Sequence, residues 1–193
     1  KTFVVAEIAS NWEGSLSKAQ KLIVEAKKAG ADAVKFQMWR AKDLYDENHP
    51  NWNEIKKSEL TFEKIKKIKK FADQKKIELF CSTFYPEAVN FLQTLNIKRY
   101  KVASRTCLLK DPFSMEVLKL KASTKKPIII SMGMGGNKKQ IKKILYVYFF
   151  FTSSIQYKRK DNMIIQCPAN DKCRPSWLKK IGLKVKNILP INE

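Results

Sequence analysis

The sequence predicts an α/β fold of the TIM type: a (β/α) barrel that is incomplete, with about six of the eight strand-helix units. Short apolar runs alternate with longer amphipathic stretches, strand then helix, along the whole chain. The strand segments are largely apolar, as strands are when helices cover both faces or close a barrel. No G-x-G-x-x-G or P-loop string follows the first strand, which argues against a dinucleotide-binding or P-loop architecture.

Residues 2–9 (TFVVAEIA) read as the first strand. Residues 17–29 read as a helix, with Ser17 as N-cap and Gly30 as the stop. Residues 33–38 (AVKFQM) are the second strand. A long polar loop holding Asn48-His49-Pro50-Asn51 leads to a helix over 61–75. The third strand is 77–83 (IELFCST), followed by a helix over 86–95. The fourth is 99–104 (RYKVAS), with a helix near 112–120. The fifth is 127–133 (PIIISMG), with a helix over 138–148. Residues 162–167 (NMIIQC) are the sixth strand, and 176–181 reads as one more helix. The chain starts inside its expected first strand, no signal peptide is read in it, and residues are expected to be missing upstream. A full barrel typically takes about 250 residues, so the sequence is expected to be incomplete. An open barrel exposes two sheet edges, so self-association or a further C-terminal segment is also expected.

The chain has 193 residues, of which 44% are hydrophobic, enough for a packed core, so wholesale disorder is excluded. No run approaches the ~20 apolar residues of a membrane span; 144–155 (ILYVYFFFTSSI) reads as core. Lys and Arg number 39 against 18 Asp and Glu, a net charge of +21, which admits nucleic acid, an anionic membrane or an acidic substrate as partner. The excess is nearly all lysine scattered over helical faces, as in 64–70 (KIKKIKK), without the interleaved Arg and aromatic residues of a nucleic-acid face. Solvated faces are the preferred reading, and neither a membrane nor a nucleic-acid partner is expected. Cys81, Cys107, Cys167 and Cys173 fit no C-x-x-C pairing and the only histidine is His49, so no zinc site is expected. Reduced thiols and a cytoplasmic location follow.

In a barrel, the residues that act stand at the C-terminal ends of strands and in the loops that follow. That edge is crowded here. Strand one ends in Glu7, with Asn11 beyond it; strand two carries Lys35 and Gln37; strand three ends in Ser82-Thr83. Strand four holds Lys101, Ser104 and Arg105, and strand five ends in Ser131. Lys35 and Gln37 are two apart and share one side of their strand. An inward lysine is costly unless an anion or carboxylate meets it; the alternative is a strand-end lysine snorkelling to water, and Lys101 likewise. Two such lysines beside hydroxyls from three strands favour an anion site, since point charges plus oriented donors suit a phosphate and carboxylate pair. Glu7 stands to work as acid/base, to bind sugar hydroxyls, or to pair with Lys35 across adjacent strands. Weaker candidates are Gly133-Met134-Gly135-Gly136 (phosphate cradle or tight turn) and Trp12, Trp39 and Trp52 (sugar stacking or packing). Cys167 has no nearby His to make it a nucleophile, and His49 reads as a surface residue.

Five strings, in order, resemble the N-acetylneuraminate (sialic acid) synthase family. They are Ala6-Glu7-Ile8-x-x-Asn11-x-x-Gly14, Ala29-Gly30-Ala31-Asp32-Ala33-Val34-Lys35-Phe36-Gln37, Ser82-Thr83-Phe84, Tyr100-Lys101-Val102-Ala103-Ser104 and the run Lys126 to Met134 (KPIIISMGM). The resemblance implies a barrel enzyme that joins phosphoenolpyruvate to an N-acetylhexosamine of the N-acetylmannosamine type, giving a nonulosonic acid and phosphate. It assigns Glu7, Lys35 and Lys101 as catalytic, and Gln37, Thr83, Ser104, Arg105 and Ser131 as substrate-binding. Of these, Lys35, Thr83, Lys101, Ser104 and Ser131 would hold phosphoenolpyruvate, while Glu7 and Gln37 face the sugar. It also implies a divalent metal, Mn²⁺ or Mg²⁺, that polarises the aldehyde, and a homodimer in full-length form; residues 1–193 are expected to be a partial barrel domain only, without the family's C-terminal antifreeze-like domain. The family's metal-binding histidines fall beyond this chain, so no metal ligand is assigned within it. The chain departs from the family at Asn11-Trp12-Glu13-Gly14 (for Asn-His-Asn-Gly), at Arg105-Thr106 (for Gly-Glu) and at Gln166-Cys167 (for His-Cys). The other reading is a degenerate, non-catalytic barrel fragment that binds anionic ligands or nucleic acid.

Overall fold

In the computed structural model, which describes residues 2–134, 138–153, 163–168 and 188–191, the chain divides into the units Lys1–Lys98 and Arg99–Glu193. The first opens on β1 (Val5–Ala9), shorter than expected from the sequence. The reason lies at Val4, whose N–H goes to the Asp32 carboxylate at 2.8 Å instead of to a strand partner. β1 pairs in parallel with β2 (Ala33–Met38), whose bounds are those expected, and β2 pairs in parallel with β3 (Glu78–Thr83). A register shift between Glu7 and Ala9, with Ala9 at φ +50, ends β1 and turns the chain into the next loop.

Helix α1 (Leu16–Lys28) is capped by Ser15, not Ser17: the Ser15 hydroxyl accepts from the Lys18 N–H, and Ser17 lies inside the first turn. Three successive turn bonds, from Asn11 to Ile8, Glu13 to Ser10 and Ser15 to Trp12, bring the chain into the helix two residues early. Gly30 ends it at φ +84, as expected. The stretch read as a polar loop contains two short helices, α2 (Ala41–Leu44) and α3 (Trp52–Lys57). α4 (Phe62–Gln74) starts from a Thr61 cap and buries Ile65, Ile68 and Ala72, while Lys66, Lys67 and Lys70 face out. Lys67 pairs with Glu63 at 2.5 Å and Lys69 with Asp73 at 2.6 Å, each one turn away. α5 (Pro86–Thr94) follows β3.

The second unit runs β4 (Tyr100–Val102), α6 (Ser104–Cys107), α7 (Ser114–Ser123), β5 (Ile128–Ser131), α8 (Lys138–Ser153), β6 (Met163–Pro168) and β7 (Ile188–Ile191). Its strands are parallel and paired in chain order. β4 stops at Val102 because the backbone goes helical at once, the Cys107 N–H reaching the Ala103 carbonyl at 3.3 Å. Ser104 is therefore the first residue of α6, not the last of a strand. β7 was not expected: Pro190 within a four-residue run argues against a strand. α8 buries Ile144, Leu145 and Val147, as read from sequence, and exposes Tyr146; the rest of 144–155 has no described side chains. The helix expected at 176–181 and Gly135-Gly136 lie outside the described residues. Among those described, no helix is long and apolar enough to cross a membrane.

Candidate active site

Glu7 and Lys35 are register partners on β1 and β2, so their side chains stand side by side. The Glu7 carboxylate meets the Lys35 ammonium at 2.5 Å, and that ammonium also donates to the Ser82 hydroxyl at 3.2 Å. Lys35 is only 4% exposed, which overturns the snorkelling alternative: the charge is met inside the unit and not by water. Of the readings open for Glu7, pairing with Lys35 is the one realised here. Ser82 and Thr83 are both buried at the end of β3. Gln37, two residues beyond Lys35, lines a cavity of about 560 Å³ with Ser10, Trp39, Tyr45, Asn51 and Glu54. The Trp39 indole donates to the Ser10 hydroxyl at 3.2 Å.

The second unit repeats the same diagonal. Lys35 sits opposite Phe80 and reaches Ser82, two residues further along the neighbouring strand. Lys101 sits opposite Ile129 and reaches Ser131, again two residues further, at 2.5 Å. Its ammonium also donates to the Val102 carbonyl at 3.0 Å. Lys101 is buried, so it does not snorkel either. In both places a buried ammonium is held on a serine hydroxyl at the C-terminal end of a parallel strand.

The other expected residues fare differently. Ser104 is half-buried at the start of α6. Arg105 is clasped by Asp111, its Nε 3.0 Å from both carboxylate oxygens and its Nη2 2.9 Å from one of them. That bidentate pair fixes the guanidinium on the α6–α7 connection. Thr106 is buried, and no hydrogen-bond partner is found for its hydroxyl among the described residues. Trp12 is fully buried, so it packs and does not stack on a sugar; Lys64 lies 5.1 Å over its ring. His49 is exposed, as expected, and its Nδ1 accepts from the Asn51 N–H. Burial pushes the Cys107 thiol up to about 12, with the Lys101 and Lys121 ammonium groups pulling the other way. Among the described residues no group of three or more His, Cys, Asp or Glu is placed to hold a metal ion, so they do not supply the donor set the resemblance implies.

One residue at this strand end escaped the sequence reading. Lys121 on α7 is fully buried and donates to the Lys101 carbonyl oxygen at 2.7 Å. The helix was expected to stop at 120; extending the Ser114, Val117, Leu118 spacing by one turn would have placed Lys121 on the inner face.

Comparison with known proteins places the chain in a family and a fold. A profile described as the NeuB family matches residues 22–176. The chain is 32% identical over 146 residues to the N,N'-diacetyllegionaminic acid synthase of Legionella pneumophila, covering 68% of this chain and 40% of that protein. It is 29% identical over 198 residues to a pseudaminic acid synthase of Campylobacter jejuni, covering 95% of this chain and 53% of that one. The fold superposes on the N-acetylneuraminic acid (sialic acid) synthetase of Leptospira borgpetersenii with a TM-score of 0.76 at 21% identity, over 97% of this chain and 63% of that one. The fold class is thus the incomplete TIM-type (β/α) barrel expected from sequence. The chain spans between 38% and 53% of the length of the curated relatives it matches.

Proposed function

The chain belongs to the NeuB family, and on that premise we propose that it is the phosphoenolpyruvate-binding part of a nonulosonic acid synthase. The reaction would join phosphoenolpyruvate to an N-acetylhexosamine of the N-acetylmannosamine type. The enol carbon attacks the open-chain aldehyde, water adds at the neighbouring carbon, and phosphate leaves. Lys35, Thr83, Lys101, Ser104 and Ser131 are the proposed ligands of phosphoenolpyruvate, and Arg105 a further substrate contact. Glu7 and Gln37 are proposed to face the sugar. The observation that carries this reading is the repeated diagonal, a buried lysine held on a serine at a strand end. Taking an ammonium out of water costs several kcal/mol unless a charge or strong acceptor meets it. A phosphate or carboxylate is an anion that an ammonium beside an oriented hydroxyl suits, in either unit.

Glu7 gives the site its working order. It neutralises Lys35 in the free chain, so an arriving anion must take its place or share the ammonium, and Glu7 is then released towards the acceptor. The 560 Å³ cavity at Gln37, walled by Trp39, Tyr45 and Asn51, has the amphipathic lining a sugar ring takes. The relatives are named for legionaminic and pseudaminic acids, which supports the product class and leaves several acceptors within it. No step is assigned to a metal ion, because the described residues do not form its donor set.

Calorimetric titration of phosphoenolpyruvate tests the proposal. Lys35→Ala and Lys101→Ala are each expected to remove most of the binding. Unchanged affinity in either variant would overturn it.

A further inference from the structure

Helix α7 turns five positions inward: Ser114, Val117, Leu118, Lys121 and Ala122. This is the i, i+3, i+4, i+7, i+8 spacing of an apolar stripe, and a lysine occupies its fourth place. Leucine or methionine would fill that place without the desolvation of a charge. Lys121 instead spends its ammonium on the backbone: it donates to the carbonyl oxygen of Lys101 at 2.7 Å, fully buried. Lys101 is the residue whose own ammonium is aimed at Ser131. Its strand β4 is only three residues long and passes straight into α6. A strand so short has few ladder bonds to hold it, and a tether from the helix behind it supplies another.

We propose that Lys121 is a positioning residue of the anion site: by holding the Lys101 carbonyl from α7, it fixes the backbone from which Lys101 reaches Ser131, and so sets the affinity of that strand end for a phosphate or carboxylate. The proposal rests on the reading of Lys101 as an anion ligand.

The test titrates inorganic phosphate and phosphoenolpyruvate by calorimetry into the full chain and into Lys121→Met, Lys121→Gln and Lys101→Ala, with a thermal melt of each. Lys121→Met is expected to bind about ten-fold more weakly or worse. Lys121→Gln, whose amide can still donate to the carbonyl, is expected to recover most of that loss while melting alongside Lys121→Met. A purely structural lysine would lower the melting temperature and leave affinity alone. Wild-type affinity in Lys121→Met, with weakened binding in Lys101→Ala, overturns the tether and spares the anion site. Wild-type affinity in Lys101→Ala overturns the anion-site reading and the tether with it. Should Lys121→Met fail to fold, Lys121→Gln decides. Binding close to wild type supports the tether, and a ten-fold loss in a variant that melts like the parent overturns it, because charge and not the hydrogen bond would then govern.

Discussion

Gly14 is held to glycine twice over. Its φ of +75 lies where a Cβ is penalised, and a Cβ built there would run into the backbone carbonyl of Lys57. Gly30, at φ +84, has open space around it, so only the conformational penalty applies. Gly30→Ala is therefore expected to cost about 1–2 kcal/mol in urea denaturation, and Gly14→Ala more than that because the loop must also move away from α3. Among the residues of the candidate site, the sequence offered three roles for Glu7, and the structure shows it paired with Lys35. Glu7→Gln removes the carboxylate that competes for that ammonium. Phosphoenolpyruvate should bind the variant several-fold more tightly at neutral pH, measured by calorimetry. Lys35 itself was legible because a lysine within an otherwise apolar strand has few explanations. Arg105 was legible as a polar strand-end residue, but its capture by Asp111 was not, since a partner six residues away across a turn leaves no periodic mark.

Among the elements, β2 was read to the residue, its Val34 and Phe36 alternating with Lys35 and Gln37. β1 and α1 were misplaced by two or three residues, and in each case a side chain decided the boundary: the Asp32 carboxylate at Val4 and the Ser15 hydroxyl at Lys18. Helix ends show a second limit of sequence reading. α1, α4, α5 and α7 are each followed by a residue in the left-handed region, namely Gly30, Lys76, Asn96 and Lys125. In α4, the Lys76 N–H bonds the Asp73 carbonyl and the Ile77 N–H the Ala72 carbonyl, the same pair of bonds that closes α1. Only one of the four is glycine, so only one announced itself. Lys76→Gly is expected to stabilise the chain by up to about 1 kcal/mol: it removes roughly 1–2 kcal/mol of Cβ penalty against about 0.4–1 kcal/mol of added unfolded-chain freedom. The denaturation midpoint should rise; an unchanged or lowered midpoint would show that Lys76 makes compensating contacts.

At the scale of the whole molecule, two buried acids are expected to make stability fall at alkaline pH. Burial pushes the Cys107 thiol up to about 12 from its ordinary 9, and burial raises Tyr85 to about 12 from 10 against the pull of the Arg40 guanidinium over its ring. Both groups lose their protons earlier in the unfolded chain, so the folded state binds more protons across that range and stability falls as pH rises. The loss is expected to begin near pH 9 and to continue towards pH 12, as a steady drop in melting temperature. Cys107→Ser should remove the lower part of it. The same burial leaves Cys107 as thiol at pH 8, so alkylation there, followed by peptide mapping, should wait on unfolding. The fold class was legible from the repeated strand-helix order, and the candidate edge from which strand ends carry Lys and Ser. The Lys-to-Ser diagonal was not, because it depends on strand register, which no single strand's pattern contains. That diagonal bears the central claim, and diffraction from the chain crystallised with phosphoenolpyruvate tests it most directly. A ligand oxygen is expected within hydrogen-bond distance of the Lys35 ammonium, with the Glu7 carboxylate displaced from it or sharing it. A bound ligand elsewhere, with Lys35 still closed on Glu7 and Ser82, would contradict it.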